Sequence, residues 1–584
     1  MESAEAKVLI KNLLKRIRQT EEDSYELRGG LTDDEVAALK LAHAVLGGDH
    51  PTPLGRDPQD VQQHPSMEGG ADELRGSAKE SEWVSEKVSP EMAAQKERVP
   101  SKIEIDTNTL YLPSPPSDRR LCMDFGTAMS KVTLVRDQTA ARGYEDIEVL
   151  RLGVPGDQEE ISETMLVSSV FIDGDGLLWF GQMAVQRSQL EAQTGDRQRL
   201  DNIKRYLSEE GLGSEVSYKF NPTNLKITYG DMVLAYLMFL SWAVNYCLEE
   251  SDEPRNLNRR FAMPCFVGSK ARYATRTISE MLVEAQLLSD TFFNTLPNGI
   301  PLGEFLEAVD QVRSEKRTCN FVGEDITEPL GVAGAIMSWE RPVNSLIMVV
   351  DVGAGTSDFS LYRMRYDNTS GQSFAYEVAD SAENVTEAGN YLDTLLKGLI
   401  LRKAGVDSDH PHWINIQGNL ELDLRDYKER LFIDGEVSVR LFNDQIVTIT
   451  RDEFLALPQV EKFSQSLKEC RDRILERVDP SFVRGAPHGA LGLALTGGGA
   501  SLPMVKELAQ GTVTVAGSEL KLVQTKEFPS WLEEEFPDLE EDYPRIAVSL
   551  GGARKQIIDQ GGIAHVTAGD VKASPQMGGY YTRG

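Results

Sequence analysis

Three glycine-rich turns, each preceded by a short apolar run, constrain the fold of this chain more than any other feature. They lie at residues 121–130, 346–358 and 493–503. In the first two, a buried strand is expected to end at an aspartate, Asp124 or Asp351, to turn at glycine and to return as a second strand. In the third, the glycines lead into a helix. This alternation of strands and helices predicts an α/β protein.

Turns of this kind are suited to binding phosphate. Glycine lets the backbone approach an anion closely, successive N–H groups can surround it, and a helix N-terminus adds a favourable dipole. Each turn alone is as compatible with a plain hairpin as with a binding site, but the ordered set of three is much more specific. The candidate nucleotide contacts in the turns are Gly126, Thr127, Ala128, Gly353, Ala354, Gly355, Gly497, Gly498 and Gly499.

The order of the turns resembles the actin/Hsp70/sugar-kinase ATPase superfamily, in which two duplicated lobes each contribute one phosphate hairpin and a third loop holds adenosine. The chain has no G-x-x-x-x-G-K-[ST] motif, which distinguishes it from P-loop proteins. Four other segments resemble Hsp70 motifs and extend the likeness over most of residues 119–557. Their matching positions are Lys204 in 201–207, Glu328 in 325–333, Gly389 in 386–393 and Lys428 in 425–431.

The resemblance implies a two-lobed actin-like ATPase, with duplicated RNase H-like lobes around a nucleotide cleft. Helical periodicity and a capping-box pattern near the start of the chain predict, in addition, an N-terminal helical extension. The extension is expected to contain one helix over residues 5–18 and a second from Thr32, stopped by Gly47 and Gly48. The expected domains are 1–48 for the helical extension, 49–117 for a disordered linker, 118–345 for lobe I with a returning helix at 545–557, 346–544 for lobe II, and 558–584 for a flexible tail.

The resemblance also implies ATP and ADP as ligands, together with Mg²⁺. Asp124 and Asp351 would hold the metal through water molecules. Lys204, Glu328 and Asp358 would orient the attacking water and neutralise the developing charge. The expected catalytic set is Lys204, Glu328, Asp351, Thr356 and Asp358, while Gly389 and Lys428 join the turns among the cofactor contacts.

This chain departs from the family pattern mainly on the adenine side. Ser501 stands where Hsp70 has an arginine that stacks on adenine, and Arg545 stands near a usual aspartate. In the first turn, Ala128 and Met129 replace the more usual threonine and tyrosine, which removes one hydroxyl near the phosphates. These departures keep open a nucleotide-sensing scaffold that does not hydrolyse.

The leading expectation is an Hsp70-like switch that hydrolyses ATP slowly and docks or acts on a protein partner in a chaperone-like way. A peptide-clamp chaperone is not expected, because only about 27 residues follow residue 557. The alternatives are an actin-like filament, which requires self-association, the non-hydrolysing scaffold, and a small-molecule kinase, for which no substrate-side carboxylate base is identified. The candidate docking elements are the N-terminal helices, residues 287–320 and the acidic–apolar segment 531–542.

The net charge and the cysteine content restrict which classes of partner and which cellular compartment we expect. The formal net charge is −31 and the isoelectric point is about 4.7. Because binding nucleic acid requires a basic surface, neither nucleic acid nor an anionic membrane is an expected partner. The five cysteines are widely spaced and form no C-x-x-C pair, which favours a reducing compartment. With no signal peptide and no apolar run of about 20 residues, we expect a cytoplasmic protein.

Overall fold

The structure is a computed structural model, and it describes residues 17–19, 25–27, 103–137, 145–153, 163–191, 197–208, 211–264, 269–314, 317–337, 344–367, 372–554 and 565–566. The chain divides into two compact units, residues 1–97 and 98–584. In the first unit, β1 (Ile17–Gln19) pairs antiparallel with β2 (Tyr25–Leu27).

The predicted helix over residues 5–18 is therefore wrong at its end. Residues 17 and 18 belong to β1, where pairing with β2 satisfies the backbone groups that a helix would satisfy internally. The rest of that helix, the helix from Thr32, the linker up to residue 102 and all of the tail but residues 565–566 lie outside the described residues.

The second unit contains the remaining strands. They are β3 (Arg119–Asp124), β4 (Met129–Asp137), β5 (Glu145–Val149), β6 (Leu166–Val167), β7 (Val170–Ile172), β8 (Leu177–Phe180), β9 (Asn258–Met263), β10 (Ile300–Pro301), β11 (Val322–Thr327), β12 (Asn344–Val352), β13 (Ser357–Asp367), β14 (Gln372–Val378), β15 (Glu383–Val385), β16 (Glu436–Arg440), β17 (Ile446–Thr450), β18 (Ala490–Thr496), β19 (Thr512–Val515), β20 (Ser518–Gln524) and β21 (His565–Val566).

The helices of this unit lie between groups of strands. They are α1 (Gly181–Glu191), α2 (Arg205–Ser208), α3 (Tyr229–Glu250), α4 (Ser269–Thr291), α5 (Leu302–Ser314), α6 (Glu328–Ile336), α7 (Gly389–Ala404), α8 (Trp413–Asp434), α9 (Arg451–Leu455), α10 (Pro458–Arg477), α11 (Pro480–Arg484), α12 (Pro503–Lys506), α13 (Ser530–Glu535) and α14 (Tyr543–Ala553).

Two mixed sheets form the centre of this unit, and their central strands repeat one order. The first sheet runs β11-β9-β3-β4-β5, and the second runs β19-β20-β18-β12-β13-β14-β21. In each, an antiparallel hairpin (β3–β4 or β12–β13) has a parallel neighbour beside its first strand (β9 or β18). An antiparallel neighbour, β5 or β14, lies beside its second strand. The predicted mixed α/β class is confirmed.

Three large hydrophobic cores stabilise the described part of this unit. One lies on one face of the first sheet with α3, α4 and α5, and another lies on one face of the second sheet with α7, α8 and α10. The third lies between the sheets and contains side chains of α6 and α14. These two helices approach closely at glycines, because a Cβ atom added to Gly551 would lie 1.8 Å from the carbonyl oxygen of Gly331.

The long apolar helix α3 belongs to the first core. It is the one described helix that is long and apolar enough to cross a membrane, but 94% of its apolar window is buried inside the fold. It begins at a capping box in which Thr228 and Asp231 each accept a hydrogen bond from the other's backbone N–H. Its apolarity is therefore accounted for by the protein core.

The end of the predicted linker is packed rather than disordered. Ile103, Ile105 and Leu110 contact the first core, and the Thr109 hydroxyl donates a hydrogen bond to the Asp290 carboxylate. Composition suggested disorder because this segment is rich in proline and serine. The prediction is wrong here because apolar burial and a specific hydrogen bond offset the entropy lost on ordering.

Two of the predicted docking elements have their apolar side chains inside the fold. Phe305 and Val309 of α5, within the 287–320 segment, are buried in the first core. In the acidic segment, Trp531 and Leu532 are buried, and the Trp531 indole donates to the Ala335 carbonyl oxygen over 3.1 Å. These apolar side chains are therefore not available to a partner.

Candidate functional site

The first glycine turn connects β3 to β4. Asp124 ends β3 and is 5% exposed. A Cβ atom on Gly126 would lie 2.0 Å from the Met129 carbonyl oxygen, so the turn requires glycine there. Lys131 is the register partner of Asp124 across the hairpin, and its Nζ lies 3.3 Å from Asp124 Oδ2.

The second turn connects β12 to β13 and has the same construction. Asp351 and Asp358 are directly opposite in the hairpin register, so two carboxylates flank the turn. The Gly353 N–H donates to the Thr356 carbonyl oxygen over 3.0 Å and closes it. The Thr356 hydroxyl donates to Asp358 Oδ2 over 2.6 Å and orients that carboxylate.

These two turns contact each other, although about 230 residues separate them in the chain. A Cβ atom added to Gly355 would lie 3.1 Å from the Thr127 hydroxyl oxygen. The structure thus brings the two predicted phosphate turns, including Ala128 and Ala354, to a single place.

The third turn follows β18, which pairs parallel with β12 and so ends beside Asp351. Gly497 has a φ of +80°, and a Cβ atom there would lie 2.3 Å from Asp351 Oδ1. The Gly499 N–H donates to the Val352 carbonyl oxygen over 2.9 Å. No heavy atom lies within 4 Å of the Cβ position of Gly498, which leaves space beside the turn.

Gly389 and Lys428 also adjoin the second turn. The Gly389 N–H donates to the Gly353 carbonyl oxygen over 3.1 Å, which anchors the start of α7 on the turn. Lys428 Nζ donates to the Gly389 carbonyl oxygen over 3.1 Å and lies 2.8 Å from Asp393 Oδ1. Helix α8 therefore contributes a cation to this region.

Lys204 and Glu328 form a buried ion pair at the first sheet. Lys204 precedes α2, and Glu328 begins α6, whose first turn is capped by the Thr327 hydroxyl. Burial disfavours the charged form of the Lys204 amine, but the charges of Glu328 and Asp124 outweigh burial and raise its pKa. The site therefore favours the protonated form of Lys204.

The carboxylates of the site repel one another. Burial is the largest cause that raises the pKa of Glu328 to about 7; Asp358 and Asp124 add to the increase, while Lys204 reduces it. Burial also raises the pKa of Asp351 well above its ordinary value, with further contributions from Glu328, Asp358 and Asp124. We call Asp124, Glu328, Asp351 and Asp358 the carboxylate cluster.

The cluster concentrates negative charge inside the fold. Its four carboxylates are 1–8% exposed, and the lysines Lys131 and Lys204 pair with two of them. Buried negative charge in excess of positive charge is costly unless a cation neutralises it. The site therefore suits a cation, although no described group of three His, Cys, Asp or Glu side chains is close enough to hold a metal directly. A hydrated Mg²⁺ bound through its waters fits this arrangement.

Two residues that the sequence comparison considered lie on the surface, and three residues of this region were not predicted from the sequence. Ser501 and Arg545 are exposed. Lys131 was missed, but the hairpin register opposite Asp124 would have identified it. Ser168 and Tyr236, which lie beneath the first turn, gave no sequence signal because they are distant from it in the chain.

Comparison with known proteins leaves the interpretation to this geometry. No protein-family model matches the chain, and no curated protein sequence matches it. The assignment of function therefore depends on the arrangement of the turns and the carboxylate cluster.

Proposed function

We propose that this chain is a cytoplasmic, ATP-binding switch of the actin/Hsp70 type that hydrolyses ATP slowly and acts on or through a protein partner in a chaperone-like way. The observation that carries the proposal is the contact of Thr127 with Gly355, which joins the two hairpin turns above Asp124 and Asp351. The repeated strand order of the two sheets supports a two-lobed arrangement around a nucleotide cleft.

Phosphate binding would use the backbone of the turns. N–H groups of residues 126–128 and 354–356 lie on two adjoining hairpins, so one triphosphate could receive hydrogen bonds from both. The third turn, with space beside Gly498, suits the sugar or α-phosphate. Lys428 and Gly389, which adjoin the second turn, would contact the nucleoside.

Hydrolysis would depend on positioning and charge rather than on a covalent step. Lys204 would neutralise negative charge that develops on the phosphate. Glu328, whose pKa is about 7, can accept a proton from water near neutral pH. Asp358, held by the Thr356 hydroxyl, would orient that water. Mg²⁺, held through water by Asp124 and Asp351, would supply positive charge beside the carboxylate cluster.

The proposal is tested by measuring phosphate release from ATP and Mg²⁺ by the full chain. Asp358→Asn and Lys204→Ala should each lower the turnover rate by about a hundredfold or more, because each removes a charge that orients or stabilises the reacting groups. Asp173→Asn is the matched control, since Asp173 is equally buried but lies in the β7–β8 hairpin. Wild-type rates in both site variants would refute the mechanism.

A non-hydrolysing nucleotide sensor is the second candidate. It is favoured by the direct ion pair of Lys204 with Glu328, which occupies the groups that hydrolysis would use, and by the exposure of Ser501 at the expected adenine position. Calorimetric binding of ATP by the wild-type chain, without phosphate release over hours, would select the sensor.

A further inference from the structure

A triangle of buried hydroxyl groups lies beneath the first glycine turn. The Ser130 and Ser168 oxygens are 3.3 Å apart, those of Ser168 and Tyr236 3.1 Å, and those of Tyr236 and Ser130 3.0 Å. Each of the three residues is at most 1% exposed. They come from β4, from the connection between β6 and β7, and from α3, so three separate elements meet at this point.

Ser168 holds the turn through two hydrogen bonds. Its hydroxyl donates to the Gly126 carbonyl oxygen over 2.8 Å, and its backbone N–H donates to the Ala128 carbonyl oxygen over 2.9 Å. A serine hydroxyl has a single proton. With that proton on Gly126, Tyr236 donates to Ser130 and Ser130 can donate to Ser168, so the triangle supports the Ser168 bond to the turn.

This bond sets the direction of a backbone donor. In a trans peptide unit the C=O and the following N–H point in opposite directions. Because the Gly126 carbonyl points to Ser168 in the core, the Thr127 N–H points away from the core. The Thr127 side chain lies on the Gly355 side, where the two hairpin turns meet.

We propose that Ser168, supported by Ser130 and Tyr236, is a positioning residue that directs the Thr127 N–H toward bound phosphate. This inference rests on the proposed nucleotide site. It gives a reason for three buried hydroxyls at a place where apolar side chains would otherwise pack, since a buried polar network is favourable only when every member is hydrogen-bonded. Ser168 does not itself contact the phosphate.

The test compares Ser168→Ala with Ser130→Ala in the full chain. Both variants remove one buried hydroxyl of the same triangle, but only Ser168 donates to Gly126. The dissociation constant for ATP with Mg²⁺, measured by calorimetry, should rise about tenfold for Ser168→Ala and less than about twofold for Ser130→Ala. The melting temperatures of both variants show whether they are equally folded, and Ser168→Thr, which keeps the donor, should restore binding.

Each outcome is decisive. Equal ATP affinity in Ser168→Ala and Ser130→Ala would overturn the positioning role while the nucleotide site stands. Absence of ATP binding by the wild-type chain would refute the proposed function and the inference with it. If Ser168→Ala does not fold, Ser168→Cys replaces it, because the thiol nearly preserves the volume but is a weak donor; wild-type affinity in that variant would also overturn the role.

Discussion

At the scale of single residues, the site contains buried negative charge that destabilises the folded chain. Asp351 is 7% exposed, faces Asp358 across the hairpin and lies beside the Gly497 turn. Burial raises its pKa, and the neighbouring carboxylates raise it further. A group that destabilises the folded chain in this way is typical of a binding site, where function and stability oppose each other.

Asp351→Asn should therefore stabilise the chain at neutral pH. Because the folded-state pKa is raised, the unfolded chain loses its proton first as the pH rises, and this lowers the free energy of unfolding above the ordinary carboxyl pKa. The asparagine side chain does not ionise, so the variant escapes this decrease in the free energy of unfolding. It should be more stable than the wild type by ~1–2 kcal/mol at pH 8. The difference should vanish near pH 4, as measured by urea unfolding at the two pH values.

Asp173→Asn is the control, because its expected effect on the free energy of unfolding is opposite to that of Asp351→Asn. Asp173 is buried but accepts hydrogen bonds from the N–H groups of Asp175 and Leu177 and from the Trp179 indole. Its replacement should lower the free energy of unfolding at pH 8, because an amide cannot accept at both of its polar atoms. Stabilisation by both substitutions would contradict the account of Asp351.

At the scale of elements, α6 and α14 can cross in the core between the sheets only because both contain glycine. Cβ atoms added to Gly331 and Gly551 would lie 2.5 Å from the Val548 carbonyl oxygen and 1.8 Å from the Gly331 carbonyl oxygen, respectively. Glu328 begins α6, so the position of this helix also determines where one carboxylate of the cluster lies.

Gly551→Ala should consequently lower the free energy of unfolding by ~2–3 kcal/mol, since backbone atoms cannot move aside without shifting a helix. The matched control is Gly398→Ala in α7, where no atom lies within 4 Å of the added Cβ and the substitution should stabilise the helix by ~0.5–1 kcal/mol. Denaturant unfolding measures the change in the free energy of unfolding, which should be a decrease for Gly551→Ala and an increase for Gly398→Ala. Equal effects would show that the helix crossing is looser than described.

At the scale of the whole molecule, the boundary of the second unit follows burial rather than composition. The unit begins at residue 98. Its first described residues, Ile103 and Ile105, pack on the core with Leu110, and Thr109 donates to Asp290. Residues that composition assigned to a linker are thus part of the folded unit.

Two truncations test this boundary. A chain that starts at residue 98 should keep the melting temperature of its folded unit, because that unit is compact on its own. A chain that starts at residue 118 loses three partly buried apolar side chains and the hydrogen bond to Asp290, and its free energy of unfolding should fall by a few kcal/mol, at ~1 kcal/mol for each of these side chains. Calorimetric melting of both chains would show the difference, and identical melting would place residues 103–117 outside the fold.

Local features of the fold could be predicted because their causes are local. β3 ends at Asp124 and β12 ends one residue after Asp351, as expected from apolar runs that stop at an aspartate and a nearby glycine. Predictions failed where a local pattern fits two structures, as at residues 17 and 18, which are helical by periodicity but pair as a strand.

The sequence by itself therefore determined the mixed α/β class, the positions of the three turns and the chemistry that each turn could offer. Only the tertiary structure decided that Lys204 pairs with Glu328, that Thr127 meets Gly355 and that Ser168 supports Gly126. A turn depends on the conformations of a few adjacent residues, whereas these contacts join distant parts of the chain. Which distant residues meet is set by how the sheets and helices pack into shared cores, and that depends on all of their side chains together.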